Sequence, residues 1–193
     1  KHEFQAEIAQ LLDIVVHSLY TDKEIFIREL ISNAAHATGK LRFLQTSGTE
    51  VFQPDRPLTI SVNTDDTGHA ISIVVFGVGM TRDELIENLG TIAHSGSKAF
   101  LQQVKENAGN PSLIGQIGVG FYSSFMVGTK VGVFTRSYKP DETGWIWTSD
   151  GVNSYDVEPG EDLARGTKIV INLKEADREF SRSHRVESII QRY

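Results

Sequence analysis

The architecture follows from the stretch Thr21-Asp-Lys-Glu-Ile-Phe-Ile-Arg-Glu-Leu-Ile-Ser-Asn33. Its first four residues set a hydroxyl and a glutamate three apart, the capping-box arrangement that starts a helix. Apolar residues then recur at helical spacing, and they are Ile25, Ile27, Leu30, Ile31, Ala34 and Ala37. The pattern predicts a buried helix that runs to Leu44 and is weakened by Gly39.

Two polar side chains on this helix stand four residues apart and therefore share one face. They are Glu29 and Asn33. A carboxylate beside a carboxamide can orient a water molecule and ligate a cation. Taken alone, a solvated helix face explains the pair better, because many surface helices carry such a pair.

The rest of the chain alternates between helical and strand patterns. Residues 4–19 have helical spacing, and residues 58–63 and 70–75 alternate with period two around an Asp65-Asp-Thr-Gly68 turn. Thr81-Arg-Asp-Glu84 repeats the capping box and predicts a short helix through Leu89. Later segments predict a buried helix at 121–127, strands at 130–137, 145–149, 154–157 and 167–173, and a helix at 181–193. We expect an α+β fold, a two-layer sandwich with a mostly antiparallel sheet covered by helices on one face.

Composition narrows the class of protein. The 193 residues suit a single domain spanning 1–193, which we interpret as a fragment of a longer chain. The net charge is -6 with acidic and basic residues interspersed, so nucleic acid is not an expected partner. Cysteine is absent and the apolar runs are short, so we expect a cytoplasmic protein with no disulfide framework and no membrane association.

Two glycine-rich segments place backbone where it can approach a ligand. Gly77-Val-Gly79 follows a predicted strand, and Gly115-Gln-Ile-Gly-Val-Gly120 precedes a predicted helix. Amide hydrogens at such positions can bind phosphate. Ordinary turn geometry explains either segment by itself. Their order along the chain, after the Glu29 and Asn33 pair, is more specific than any one of them.

Three long stretches carry a resemblance to a known family. Ser18-Leu-Tyr-Thr-Asp-Lys-Glu-Ile-Phe-Ile-Arg-Glu-Leu-Ile-Ser-Asn33 is the first. Asn88-Leu-Gly-Thr-Ile-Ala-His-Ser-Gly-Ser-Lys-Ala-Phe100 and Ile114-Gly-Gln-Ile-Gly-Val-Gly-Phe-Tyr-Ser-Ser-Phe-Met-Val127 are the others. The chain resembles the GHKL ATPase superfamily and, within it, the N-terminal domain of the heat-shock-protein-90 chaperones, with the bacterial branch most similar. Other GHKL members, such as type II topoisomerase subunits, mismatch-repair proteins and histidine kinases, lack this detailed match.

The resemblance implies a Bergerat fold with ATP or ADP and Mg²⁺ in a pocket on the helical side of the sheet. It implies that Glu29 is the general base and that Asn33 ligates Mg²⁺. The implied nucleotide-binding positions are Asn33, Gly77, Gly79, Met80, Asn88, Leu89, Lys98, Gly118, Val119, Gly120, Phe121 and Thr167. Client proteins and N-terminal dimerisation are the implied partners of the full-length chaperone. The family's catalytic arginine comes from a following domain, so we expect little or no turnover by this chain.

Four positions depart from the family pattern around this pocket. Val75 replaces the aspartate that accepts the adenine amino hydrogen, and Phe76 adds bulk beside it. A lost charged acceptor costs about 1.5–3 kcal/mol, or roughly ten- to over a hundred-fold in affinity. His36 replaces another pocket carboxylate. The resemblance also implies a mobile lid over the pocket that starts at residues 90–98, and there His94 replaces the usual lysine or arginine. The sequence therefore predicts weakened adenine recognition.

Alternative interpretations remain open. The chain is a natural member that has lost or weakened nucleotide binding, a variant with a deliberately altered pocket, or a domain whose other contacts still hold ATP. In the first two cases the alternative function is a non-enzymatic domain or a domain that binds another ligand. A catalytic role for His36 beside Glu29, with Ser32 or Ser95 as nucleophile, is disfavoured, because Ser32 projects about 100° away from Asn33 around the helix.

Overall fold

The fold is built on one antiparallel sheet. The computed structural model describes residues 2–3, 23–90, 120–151 and 154–192. The strands in these ranges are β1 His2–Glu3, β2 Ile60–Asp65, β3 Ala70–Val75, β4 Gly128–Arg136, β5 Gly144–Ser149, β6 Ser154–Gly160 and β7 Gly166–Leu173. Their order across the sheet is β1-β6-β5-β4-β7-β3-β2, with every neighbouring pair antiparallel.

Helices pack on the inner face of this sheet. They are α1 Ile25–Thr46, α2 Arg82–Gly90, α3 Ser124–Val127 and α4 Ser183–Arg192, with 3-10 helices at Gly120–Ser123 and Glu175–Ser181. Buried side chains of α1, such as Phe26 and Leu30, belong to one core with Ile71 and Ile73 of β3. The predicted α+β class with a mostly antiparallel sheet is confirmed.

The two predicted capping boxes have different outcomes. At the start of α2 the Thr81 amide donates to Glu84 Oε1 at 3.0 Å, and the Glu84 amide donates to Thr81 Oγ1 at 3.2 Å, so this box is confirmed. At the start of α1, Glu24 is the N-cap residue and makes no side-chain cap hydrogen bond. Thr21 and the predicted helix at 4–19 lie outside the described residues.

Several predicted boundaries differ from those observed. Helix α1 continues two residues past the predicted Leu44, to Thr46, and it contains Gly39 without interruption. The first hairpin strand begins at Ile60 rather than 58, since Ile60 pairs with Val75 and Asp65 pairs with Ala70 across the turn. The predicted helices at 121–127 and 181–193 each begin later, at 124 and 183, after a 3-10 helix. Within the described ranges, no helix is both long and apolar enough to cross a membrane.

The C-terminal helical segments contact the start of α1 and the two residues before it. Lys23 Nζ lies 3.0 Å from Asp177 Oδ1, and Arg185 forms an ion pair with the buried Glu24. The rings of Phe26 and Phe180 meet edge to face at a centroid distance of 5.1 Å. These contacts place α4 beside the N-terminal end of the helix that carries Glu29 and Asn33.

Candidate functional site

Three side chains form a row across the inner face of the sheet. Val75 of β3 pairs with Thr167 of β7, and Thr167 pairs with Thr135 of β4. Val75 is only 5% exposed and belongs to the hydrophobic core. Valine has nearly the shape of aspartate. Compared with the aspartate that the resemblance predicts at this position, Val75 lacks a hydrogen-bond acceptor but fills nearly the same space.

A hydroxyl network joins this row to residues 77–80, which we call the adenine-side loop because the family resemblance implies that they lie beside adenine. Thr135 and Thr167 lie 3.0 Å apart through their Oγ1 atoms, and the Met80 amide donates to Thr135 Oγ1 at 2.9 Å. The Thr135 hydroxyl also reaches the Gly166 carbonyl at 3.2 Å. Because the Thr135 hydroxyl donates its one hydrogen to this carbonyl, the Thr167 hydroxyl is the donor in the pair. Thr135 was missed by the sequence analysis, although its inward position after Val131 and Val133 on an alternating strand was a usable signal.

The loop Gly77-Val-Gly79 lies against α1 on one side and β4 on the other. A Cβ atom at Gly77 would stand 2.9 Å from the backbone carbon of Ala37. Gly79 has a φ of +63°, and a Cβ there would stand 1.8 Å from the Arg136 carbonyl oxygen. Both positions therefore require glycine for a close approach of backbone, as the sequence analysis expected of a ligand-facing loop.

One stripe of α1 leads to this loop. Glu29, Asn33 and Ala37 follow one another at four-residue intervals, and Ala37 contacts Gly77. Asn33 is exposed and Glu29 is half-buried. Burial raises the pKa of the Glu29 carboxyl, and the positive charge of Arg28 opposes part of that rise. A carboxylate with a raised pKa accepts a proton more readily than an ordinary glutamate does.

The raised pKa of Glu29 predicts a pH-dependent stability. Between the ordinary pKa and the raised one, the native state binds more protons than the unfolded state, so the free energy of unfolding falls as pH rises through that window. Glu29→Gln removes this loss and is expected to be the more stable form at pH 7. Urea unfolding from pH 4 to 7 measures the difference. An equal fall with pH in the parent and in Glu29→Gln would contradict it, and the exposed Glu158→Gln is the control.

Phe76 lies away from the inner row. Its ring is covered by the Arg56 guanidinium at 4.9 Å from the centroid. It also lines a cavity of about 230 Å³ together with Val74 and Phe134, whose positions alternate with the inward-facing Val75 and Thr135. The bulk that the sequence analysis expected beside the pocket is therefore packed against Arg56 on the outer side of the sheet, where the outward-facing Val74 and Phe134 also lie.

The described side chains that the sequence analysis considered as catalytic partners of Glu29 do not meet beside it. His36 is exposed on α1, and Ser32 lines a groove of about 510 Å³ with Ile31 and Ile190, on the side of α4. Ser32 thus faces away from the Glu29 and Asn33 stripe. Ser95 lies outside the described residues.

The remaining candidate residues occupy several elements. Asn88 and Leu89 lie on α2, where Leu89 is a buried core residue. Gly120 starts a 3-10 helix, and the Phe121 ring packs edge to face on Trp147 at 5.6 Å. The candidates that lie outside the described residues are His94, Lys98, Gly118 and Val119.

The chemistry of the α1 stripe suits Mg²⁺. In the described ranges, no group of three or more histidine, aspartate or glutamate side chains is arranged around a metal position. Mg²⁺ bound with a nucleotide uses only one or two protein oxygens, together with phosphate and water. The Asn33 amide oxygen, one helical turn from the Glu29 carboxylate, is a donor of this kind.

Comparison with known proteins adds a family assignment to this geometry. Residues 20–177 match the family model described as histidine kinase-, DNA gyrase B- and HSP90-like ATPase. The chain is 53% identical over 194 aligned residues to the chaperone protein HtpG of Desulfitobacterium hafniense, covering 99% of this chain and 31% of that protein. It is 47% identical to the mitochondrial heat shock protein 75 kDa of Rattus norvegicus, covering 100% of this chain and 27% of that protein. The chain thus spans about a third of the length of these relatives.

Proposed function

We propose, from the premise that this chain belongs to the histidine kinase-, DNA gyrase B- and HSP90-like ATPase family, that it is the nucleotide-binding domain of an ATP-dependent chaperone. Its similarity to bacterial chaperones and to their mitochondrial relatives extends over essentially the whole chain. Client binding, N-terminal dimerisation and a cytoplasmic location are proposals for the longer protein. Neither nucleic acid nor a membrane is a proposed partner.

One observation carries the proposal. The stripe of Glu29, Asn33 and Ala37 ends on Gly77, directly beside the row of Val75 and Thr167. A ligand that spans this region meets a carboxylate and an amide at one end, and a glycine loop with hydroxyl groups at the other. A nucleotide has this polarity, with phosphates and Mg²⁺ at one end and a planar base at the other.

Each end of the proposed site has a separate task. Glu29 holds the attacking water as general base, and Asn33 provides an oxygen to Mg²⁺, the ion that neutralises phosphate charge. Gly77, Gly79 and Met80 flank the base, and Thr167 supports it through its hydroxyl. Gly118, Val119, Gly120 and Phe121, with Lys98 from the lid, are proposed for the phosphates. Asn88 and Leu89 are proposed at the base of the lid.

Recognition of adenine is the weak part of the proposed site. Val75 presents methyl groups where a base amino group needs an acceptor, and burial of that unpaired donor costs about 1–3 kcal/mol. The hydroxyl of Thr167 and the amide network at Met80 remain beside it. We therefore propose that ATP and ADP bind, with affinity lowered chiefly at the base end.

Calorimetric titration of Mg-ADP into the chain tests the site. Asn33→Ala is expected to weaken binding about tenfold or more, because the metal and phosphates lose a polar partner. Ser32→Ala is the matched control, since Ser32 is also exposed on α1 but lines the groove beside α4. The control is expected to change affinity by less than about twofold.

The titration has two outcomes against the proposal. Equal affinities for Asn33→Ala and Ser32→Ala would place the nucleotide elsewhere. No binding of Mg-ADP or Mg-ATP at millimolar concentration would favour the second candidate function. That candidate is a non-enzymatic domain that keeps the scaffold but not the nucleotide, and the buried Val75 is the observation that favours it.

A further inference from the structure

A buried arginine lies outside the side chains proposed to contact the nucleotide. Arg165 stands directly before β7 and is 0% exposed. Burial lowers the pKa of its guanidinium, and the nearby charge of Arg56 lowers it further. A cation in this environment needs close polar partners to remain charged without a large penalty.

Backbone carbonyl oxygens provide these partners. A guanidinium has five N–H donors in a fixed planar arrangement. The Nε atom donates to one carbonyl, and each terminal nitrogen donates to two. The acceptors are Gly77 at 3.3 Å, Phe52 at 3.1 Å, Gln53, Arg56 at 3.2 Å and Phe76 at 3.0 Å. The donor capacity of the side chain is therefore filled by main-chain atoms from two segments.

These two segments are the coil at 52–56 and the start of the adenine-side loop. Gly77 then touches Ala37 of α1, while the far end of the loop is fixed by the Met80 amide on Thr135. Arg165 also donates its own amide to Gln53 Oε1 at 3.0 Å. The Gly77 end of the loop is thus held by the Arg165 side chain, which does not belong to the inner row.

We propose that Arg165 is a positioning residue for the adenine-side loop, setting the place of Gly77 and Met80 through the carbonyls of Phe76 and Gly77. This inference deepens the proposed function and rests on it only for the identity of the ligand. The contacts that hold the loop do not involve the Val75 side chain.

Methyl NMR can test this position directly. The chain has two methionines, Met80 in the loop and Met126 in the buried α3, so methyl-labelled methionine gives two signals. Arg165→Leu is expected to shift or broaden the Met80 signal and to leave the Met126 signal in place. Arg165→Lys is expected to do the same, because one ammonium group cannot satisfy five carbonyls in a planar arrangement.

A core variant separates positioning from general loss of stability. Ile189→Ala removes a fully buried side chain of α4 and lowers stability without touching the loop. It is expected to leave both methionine signals in place. An unmoved Met80 signal in Arg165→Leu overturns the proposal. Collapse of both signals to unfolded positions also overturns it, since Arg165 would then support the whole fold.

A second measurement separates this inference from the proposed function. In a Val75→Asp background, Arg165→Leu is expected to weaken Mg-ADP binding about tenfold, the equivalent of one hydrogen bond lost through misplacement. If the Val75→Asp parent fails to bind Mg-ADP, the proposed function fails while the Met80 signal still decides the role of Arg165. If that parent binds and Arg165→Leu binds equally well, the positioning role is overturned.

Discussion

Val75→Asp alone is expected to tighten Mg-ADP binding roughly ten- to a hundred-fold, the value of a hydrogen bond to a charged acceptor. Val75 is the last residue of β3 and pairs with Thr167 on the inner row, and its side chain has nearly the shape of aspartate. The substitution therefore restores an acceptor for the base amino group with little change of volume. Isothermal titration of the parent and the variant measures the ratio.

Phe76→Thr provides the matched control for this prediction. The Phe76 ring lies under Arg56 on the outer side of the sheet, so its replacement is expected to change affinity by less than about twofold. The double variant is expected to match Val75→Asp. A gain that appears only when both residues are replaced would contradict the orientation of Phe76 and restore it as a pocket residue.

Val75→Asp is also expected to change the thermal stability of the chain. A carboxylate at a position that is 5% exposed loses its hydration, so Val75→Asp without ligand is expected to unfold at a lower temperature than the parent. Mg-ADP binds the native state and therefore raises the free energy of unfolding, by an amount that increases with its affinity. The ligand-induced rise in Tm is therefore expected to be larger in the variant than in the parent.

Gly79→Ala is expected to cost about 3–5 kcal/mol or to prevent folding, which makes it the largest single-residue effect that we predict. The added Cβ would stand 1.8 Å from the Arg136 carbonyl oxygen, and the φ of +63° is strained for alanine. The obstacle is backbone of a central strand, which cannot move aside as a flexible side chain can. Urea unfolding followed by circular dichroism measures the loss.

Gly39→Ala is the control for this substitution. Gly39 lies inside α1 with no atom within 4 Å of an added Cβ. Alanine there is expected to stabilise the chain by about 0.5–1 kcal/mol through helix propensity. A similar response of the two glycines would contradict the geometry of the adenine-side loop.

Much of the fold could be predicted because its signals are local. The four-residue spacing of Glu29 and Asn33, the alternation of β3 and the capping box at Thr81 each depend on neighbours in sequence. Two of these elements also provide parts of the candidate site. The family resemblance was carried by such local stretches and is confirmed by the comparisons.

The remaining features depend on atoms that sequence patterns do not encode. Arg165 binds main-chain carbonyls, and every residue has a carbonyl, so no residue type marks its partners. The direction of Phe76 depends on where β3 ends and on the Arg56 side chain from another segment. The alternation of β4 marks Thr135 as inward-facing, but its pairing with Thr167 depends on the register between two strands far apart in sequence.

The contacts between the C-terminal helical segments and the start of α1 have a consequence for the geometry of the proposed site. Helix α1 has 22 residues and so forms a stiff rod of about 33 Å. The two residues before it, Lys23 and Glu24, form ion pairs with Asp177 and Arg185, and Ala37 in its middle contacts the adenine-side loop. Glu29 and Asn33 lie between these two contacts. Because the segment between the contacts is one continuous helix, the separation of Glu29 and Asn33 from the loop is fixed by helix geometry.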